Sequence, residues 1–360
     1  MDEFAVVTGL TGTAPPRRYL WTDAFAVCNF LGLYRESGKG DDLDRALRLV
    51  DQVHHILGRY RLDDSRHGWI SGLAGEEGER HPTRGGLRIG KELPERTPDQ
   101  PFDSRLEWDR DGQYLHYLTQ WMHALHRVGQ ETGQPDFHRW AVELAQTAHA
   151  RFTQSDAAGG AQHMVWKMSI DLSRALVPSM GQHDPLDALL SYLELQAGAL
   201  LDREIREARA LCAQAPWETD DPLGIGALLT GLHRLAGLVT RFRVPEDALT
   251  ARLAAAARIS LEVYTHRDLL AFPVESRLAF RELGLAIGLH ALERIESTPL
   301  LGQEANAELA ALSRHRSLGS RIDSFWSDPG HRKSRSWTAH RDINAVMLAT
   351  SLAPDGYLGS

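Results

Sequence analysis

DPLGIGALLTGLHRLAGLVTRF, residues 221–242, decides the fold. Its apolar residues recur at three- and four-residue spacing, which is the period of a helix. They also run nearly all the way round: glycine, alanine, leucine, isoleucine and valine dominate 223–239, broken only by Thr230, His233 and Arg234. A helix that is apolar on every side has to be covered on every side. Segments 24–34 and 278–292 have the same character. Between them stand helices with one polar face, at 41–60, 136–152 and 306–326. The whole series of helical segments runs about 21–36, 42–59, 111–132, 135–152, 184–210, 222–242, 245–264, 275–297, 302–326 and 340–352. Long alternating β-branched runs joined by Asn-Gly or Asp-Gly turns are lacking. The chain reads as all-α, and buried helices alternating with amphipathic ones are what two concentric layers require.

The buried helices begin alike. An acidic residue stands at or near each start: Asp23, Asp111, Asp184, Asp221, Glu275 and Asp342. Capping accounts for any one of them, because a carboxylate near a helix N-terminus accepts free backbone N–H groups and suits the dipole. Six parallel inner helices would also bring all six acids to one rim. Their neighbours, Trp21, Trp108, His183, Arg277, His340 and Arg341, are not what caps need. The pattern resembles the (α/α)6 toroid of the six-hairpin glycosidase-like superfamily over nearly the whole chain. The resemblance implies one domain, 1–360, with rim insertions at about 61–108 and 153–183. Both insertions carry apolar anchors, among them Trp69, Ile70, Leu87, Ile89, Trp166 and Met168. They are expected to be ordered flaps with short strands. The last repeat is expected to have one helix before the end, its partner supplied by the N-terminal segment or absent.

Composition removes several classes of function. Lys plus Arg number 40 against 48 Asp plus Glu, so no basic face for a nucleic-acid backbone is expected. Cys28 and Cys212 stand alone and read as buried thiols rather than a disulfide framework. The start shows no basic and apolar leader, and no run approaches the ~20 apolar residues of a membrane span. A cytoplasmic protein with no membrane partner is expected. GGLRIGK, residues 85–91, has phosphate-loop spacing, but Glu92 follows where Ser or Thr belongs and ELPERTPDQP cannot open the required helix. Arg84 just before it and Arg88 and Lys91 within it remain available to an anionic or hydroxyl-rich ligand. His116, His123 and His126 share a helix without an HExxH pattern, so no metal is assigned. No GxSxG motif marks a nucleophilic serine.

Paired carboxylates remain. Glycoside hydrolysis needs one protonated acid at the leaving oxygen and one ionised carboxylate across the ring. Aromatic faces and forked polar groups would hold the sugar. Glu107, Asp109 and Asp111 form the densest acidic cluster. In the unsaturated-glucuronyl hydrolases of the superfamily, catalytic Asp residues sit near early inner-helix starts, and this resemblance points to Asp111 and Asp184. Asp171 in WKMSIDLS is a third catalytic candidate. Trp21, Asp23, Arg84, Trp108, Asp109, Trp166, His183, Glu275, His340 and Asp342 are the candidate substrate contacts. The expected partner is a small carbohydrate and no cofactor is called for. The oligomeric state is open. Two alternatives stand beside the hydrolase: a sugar 2-epimerase or isomerase using His183 and His340 as acid and base, and a non-catalytic helical-repeat binding protein.

Overall fold

The computed structural model describes residues 1–155, 162–267, 269–295 and 299–359. Residues 156–161 of the second expected insertion lie outside the described residues. The chain divides into two compact units, Asp2–Cys212 and Ala213–Ser360 with Met1.

In the first unit, helix Leu20–Ser37 buries every residue from Leu20 to Leu31. Its neighbour Gly40–Leu57 buries only the stripe Ala46, Leu49, Val50, Val53, His54 and Leu57. That contrast is the inner and outer layering that the hydrophobic pattern predicts. Each fully buried Leu contributes about 1.5–3 kcal/mol, so the all-round apolar helix belongs inside. Leu20–Ser37 packs on Gly40–Leu57 and on Leu115–Thr132, which in turn packs on Pro135–Phe152 and Asp184–Leu195. Asp202–Gln214 follows as the next amphipathic helix.

In this unit two boundaries differ from those read off the sequence. The expected 111–132 helix begins only at Leu115. Gly112 (φ +150°) turns the chain there, and a Cβ on it would lie 2.7 Å from the Met168 carbonyl. Gln113–Tyr114 then forms a short strand on Lys167–Met168, which pairs on its other side with Ala175–Val177, both antiparallel. The expected 184–210 helix is two, broken after Leu195 by Gln196 in the left-handed region (φ 49°). The insertions are ordered where described. Trp69, Leu87, Ile89 and Met168 are buried, and Thr153–Ser155 pairs with Gln162–Met164.

In the second unit, Pro222–Phe242 packs closely on Ala279–Glu293, which also packs on Arg341–Leu352. The crossing explains the glycines: a Cβ on Gly226 would lie 2.1 Å from the Gly284 carbonyl oxygen. Asp247–His266 packs on Pro222–Phe242 and on Gln303–Leu312, and Ser317–Ser327 packs on Ala279–Glu293. The expected 302–326 helix is thus interrupted, by the 3-10 turn Ser313–His315. By length and apolarity Pro222–Phe242 does match a membrane span, against the sequence expectation that no stretch would; 61% of its most apolar window is buried inside the protein.

Candidate functional site

The strongest chemical cluster lies in the first unit, where three helices meet. DPLD at 184–187 opens Asp184–Leu195, and Pro185 near its N-terminus is well placed there because its missing N–H would be unpaired anyway. The i, i+3 spacing sets Asp184 and Asp187 on one helix face. His116 comes from the first turn of Leu115–Thr132 and Trp21 from the first turn of Leu20–Ser37. His116 Nδ1 hydrogen-bonds Asp187 Oδ2 at 2.6 Å, and the Trp21 indole N–H donates to His116 Nε2 at 3.2 Å. Indole only donates. The imidazole Nε2 is therefore the acceptor and Nδ1 carries the proton toward Asp187. Burial works against a charge on His116, but the carboxylates of Asp187 and Asp184 outweigh it and raise its pKa. Charging His116 breaks the indole bond.

Asp184 is 4% exposed. The backbone N–H of Gly181 donates to its Oδ2 at 3.1 Å. Burial pushes its pKa up to about 7; His116 pulls it down, Asp187 adds to the rise, and the Gly181 N–H opposes it. Asp184 is thus a carboxyl that keeps its proton near neutrality, beside a hydrogen-bonded carboxylate. Environments that separate two neighbouring acids in this way are how acid and base roles are assigned.

An aromatic strip leads away from this cluster. His116 and Tyr117 have ring centroids 6.1 Å apart, and the Tyr19 and Tyr117 hydroxyls are hydrogen-bonded at 2.6 Å. Tyr114 lies edge-on to Tyr117 and stacks on Trp166 with 21° between planes. Trp166 meets Trp108 edge-on at 4.9 Å. Trp108 is 52% exposed while Tyr114 is buried, so the strip grades from solvent inward. Burial raises the pKa of Tyr19 and Tyr117, and both are neutral phenols able to donate and accept.

Asp111 is elsewhere in its chemistry. It is 0% exposed. Its Oδ2 accepts from Arg88 at 2.5 Å, with Arg61 at 3.5 Å, and its Oδ1 accepts the N–H groups of Gly90 and Gly112, each at 3.0 Å. This is a clamp on the 88–91 loop. Asp171 is half-exposed and closes its own turn through Ser169 and Ser173 while pairing with Arg66. Burial tends to raise its pKa, but these hydrogen bonds and Arg66 lower it overall, the wrong direction for a proton donor. Glu107 is buried between Arg96 and Lys167, both at 3.0 Å.

The remaining candidates separate. Asp23 accepts the Tyr19 backbone N–H at 2.9 Å, a cap in the same first turn as Trp21 and two residues after it. His183 is the residue before Asp184 and serves as the N-cap position of that helix. Asp109 is exposed beside Trp108. Arg84, expected on the rim, instead lines a cavity of about 580 Å³ on the outer helix Pro135–Phe152 and faces Glu143 at 3.5 Å. Glu275, His340 and Asp342 belong to the second unit. Glu275 is exposed and accepts the Arg335 N–H at 3.1 Å; His340 is exposed and packs edge-on to Phe280; Asp342 lies in the first turn of Arg341–Leu352. That unit has a buried acid the sequence did not single out: Glu282 takes both arms of Arg277 and the Trp326 indole N–H. These bonds tie Ala279–Glu293 to Ser317–Ser327 through Trp326. Among the described residues no group of three His, Cys, Asp or Glu side chains is arranged to hold a metal ion.

No family model and no curated protein matches the sequence. Solved structures do match in shape. A GH76 alpha-mannanase from Bacteroides thetaiotaomicron is 8% identical, with 95% of this chain and 88% of that chain covered and a TM-score of 0.54. A cellobiose 2-epimerase from Spirochaeta thermophila is 13% identical, with 95% and 87% covered and a TM-score of 0.50. Likeness at such identity establishes fold. The chain shares the all-α (α/α)6 fold of these structures, as its helix pattern predicts.

Proposed function

We propose that this protein is a carbohydrate-active enzyme, a glycoside hydrolase in which Asp184 donates the proton to the leaving oxygen. The observation that carries this reading is the pairing on one helix face of Asp184, pushed up to about pKa 7, with Asp187, held by His116. Asp187 is the second carboxyl group of the pair, on the side of the positive charge developing on the sugar ring. His116 orients it through Nδ1–H, and Trp21 fixes the tautomer that makes this possible. The strip from Tyr117 to Trp108 offers flat faces for sugar C–H surfaces and hydroxyls for their oxygens. The fold shared with an alpha-mannanase and a cellobiose 2-epimerase is in keeping with sugar chemistry.

The test is a panel of oligosaccharides with products read by NMR. Asp184→Asn lowers turnover by about 10²–10⁴-fold, the usual contribution of a general acid. Wild-type kcat/KM falls as pH rises above about 7, where Asp184 loses its proton. An Asp184→Asn variant with undiminished hydrolysis would sink the reading. The His116–Asp187 pair favours one alternative, a 2-epimerase or isomerase with His116 moving a proton beside a carbonyl. That chemistry would place solvent deuterium on the sugar carbon, which simple hydrolysis does not.

A further inference from the structure

The cations around GGLRIGK, 85–91, have separate fates. Arg88 is buried on Asp111, and Lys91 lies over the Tyr19 ring. Arg84 is half-exposed and lines the cavity of about 580 Å³ on the outer helix Pro135–Phe152. That volume is in the range of small-molecule sites. None of the described residues lining it belongs to the acid pair or to the aromatic strip.

The walls are tied to the helix. The Thr147 hydroxyl donates to the Arg84 carbonyl at 3.0 Å, the Trp140 indole N–H to the Arg80 carbonyl at 2.9 Å, and the Thr83 hydroxyl to the Trp140 carbonyl at 2.8 Å. On the other side the Gln146 amide donates to the Leu200 carbonyl at 3.1 Å. Two segments far apart in sequence are thereby held to one helix, on which His138, Val142 and Gln146 follow at i, i+4 spacing and so share a face.

The polar groups of the cavity divide into engaged and unengaged. Arg139 reaches Asp136 at 2.8 Å and the Arg80 carbonyl at 3.2 Å. Glu143 is buried and hydrogen-bonded to His81 Nδ1 at 2.6 Å. Arg84 approaches that same carboxylate through Nε at 3.5 Å, without a hydrogen bond. The terminal fork of Arg84 and the imidazole of His138 make no hydrogen bond among the described residues. Leu73, Val142 and Leu200 supply an aliphatic wall, and Leu200 is 62% exposed. An open guanidinium fork matches one planar carboxylate through two parallel N–H···O bonds. The aliphatic wall asks for a hydrocarbon chain behind that head group.

We propose that this cavity is a second ligand site, for a monocarboxylate carrying an aliphatic chain. The Arg84 fork takes the carboxylate, His138 adds an N–H donor, and Leu73, Val142 and Leu200 cover the chain. A phosphate dianion is the poorer match, because Arg139 is engaged by Asp136 and Glu143 stands beside Arg84. A cationic ligand would meet Arg84 and find Glu143 already bonded to His81. The inference does not depend on the role given to Asp184.

The full chain, carbon-13 labelled at its leucine and valine methyls, is titrated with acetate, butyrate, hexanoate, octanoate, hexanamide and hexyl phosphate, by NMR and calorimetry. Affinity for the acids rises about fourfold per methylene, the value for burying one CH₂, and the shifts centre on Leu73, Val142 and Leu200. Hexanoate binds about tenfold or more tighter than hexanamide at low salt, the size expected of a charge-assisted hydrogen bond. Arg84→Met removes that preference and leaves hexanamide binding unchanged. Leu200→Ala flattens the dependence on chain length and keeps the preference for the acid. Equal binding of hexanoate and hexanamide, or a preference that survives Arg84→Met, overturns the Arg84 assignment. Acetate binding as tightly as octanoate overturns the aliphatic wall. Tighter binding of hexyl phosphate than of hexanoate overturns the monocarboxylate class. Shifts confined to other methyls, or no response to any of these compounds, overturn the site, and each of these failures leaves the reading of Asp184 untouched.

Discussion

Asp111 and Asp184 invite comparison because they look alike in sequence and differ in structure. Both precede or open an inner helix of the first unit, both are buried, and both have an aromatic or imidazole neighbour in sequence. Asp111 receives two backbone N–H groups and the guanidinium of Arg88, with Arg61 beside it. Asp184 accepts the Gly181 backbone N–H and shares its helix face with a second acid. Desolvation of a carboxylate is offset in the first case by donors and in the second is left as a raised pKa. Burial alone therefore does not mark a catalytic acid; the partners do. The cluster at 107–111 is dense in sequence because it anchors a loop, and the proposed proton donor lies 73 positions further on.

The comparison breaks most sharply on turnover, where Asp184→Asn carries the large loss described above. Stability separates the pair next. Asp111→Ala leaves Arg88 buried without its counter-charge and costs about 3–5 kcal/mol in urea unfolding. Asp184→Asn moves stability the other way. An acid at an ordinary value of 3.8 unfolded and about 7 folded penalises the folded state increasingly as pH rises from 4, and the penalty is complete above 7. The variant is therefore more stable than wild type by up to about 4 kcal/mol at pH 8, with the gap closing near pH 4. A helix-capping role predicts the reverse, a variant that is less stable across the range.

A smaller effect tests how the acid pair is held. Trp21→Phe removes the indole donor and costs about 0.5–1.5 kcal/mol. It also frees His116 Nε2 to take a proton, so the imidazole titrates at a higher pH than in the wild type. Nitrogen-15 shifts of His116 read this directly: the proton sits on Nδ1 in the neutral wild-type ring, and an Nε2–H tautomer there would remove Trp21 from its positioning role.

The architecture was legible because it follows from hydrophobic period. All-round apolar character in 24–34 and 223–239 identified inner helices, and the single stripes of 41–60 and 136–152 identified outer ones. What blurred was local. Gly112 and Gln196 redirect the chain through backbone angles that periodicity does not register. Of the candidate cluster and its strip, the sequence reading named Asp184, Trp21 and Trp108 from helix starts and Trp166 from the second insertion, but passed over Asp187 and His116 as partners. Their bond spans 71 positions, and no spacing rule reaches that far, although DPLD with its acids three apart is a local signal that both face one way. Arg84 was misplaced for the converse reason. It is near GGLRIG in sequence, but the turn at Thr83–Gly86 carries it to the outer helix. Asp171 stood out by its place in WKMSIDLS, a signal that does not register the hydroxyls of Ser169 and Ser173 that engage it.

The most direct measurement is the ionisation of Asp184 itself, followed through its carboxyl carbon-13 signal in the full-length protein and assigned by its disappearance in Asp184→Asn. A midpoint near pH 7 agrees with a buried acid poised to give up a proton. A midpoint in the ordinary carboxylate range would mean that Asp184 is ionised at neutral pH like any helix cap, and the proposed chemistry would lose its acid.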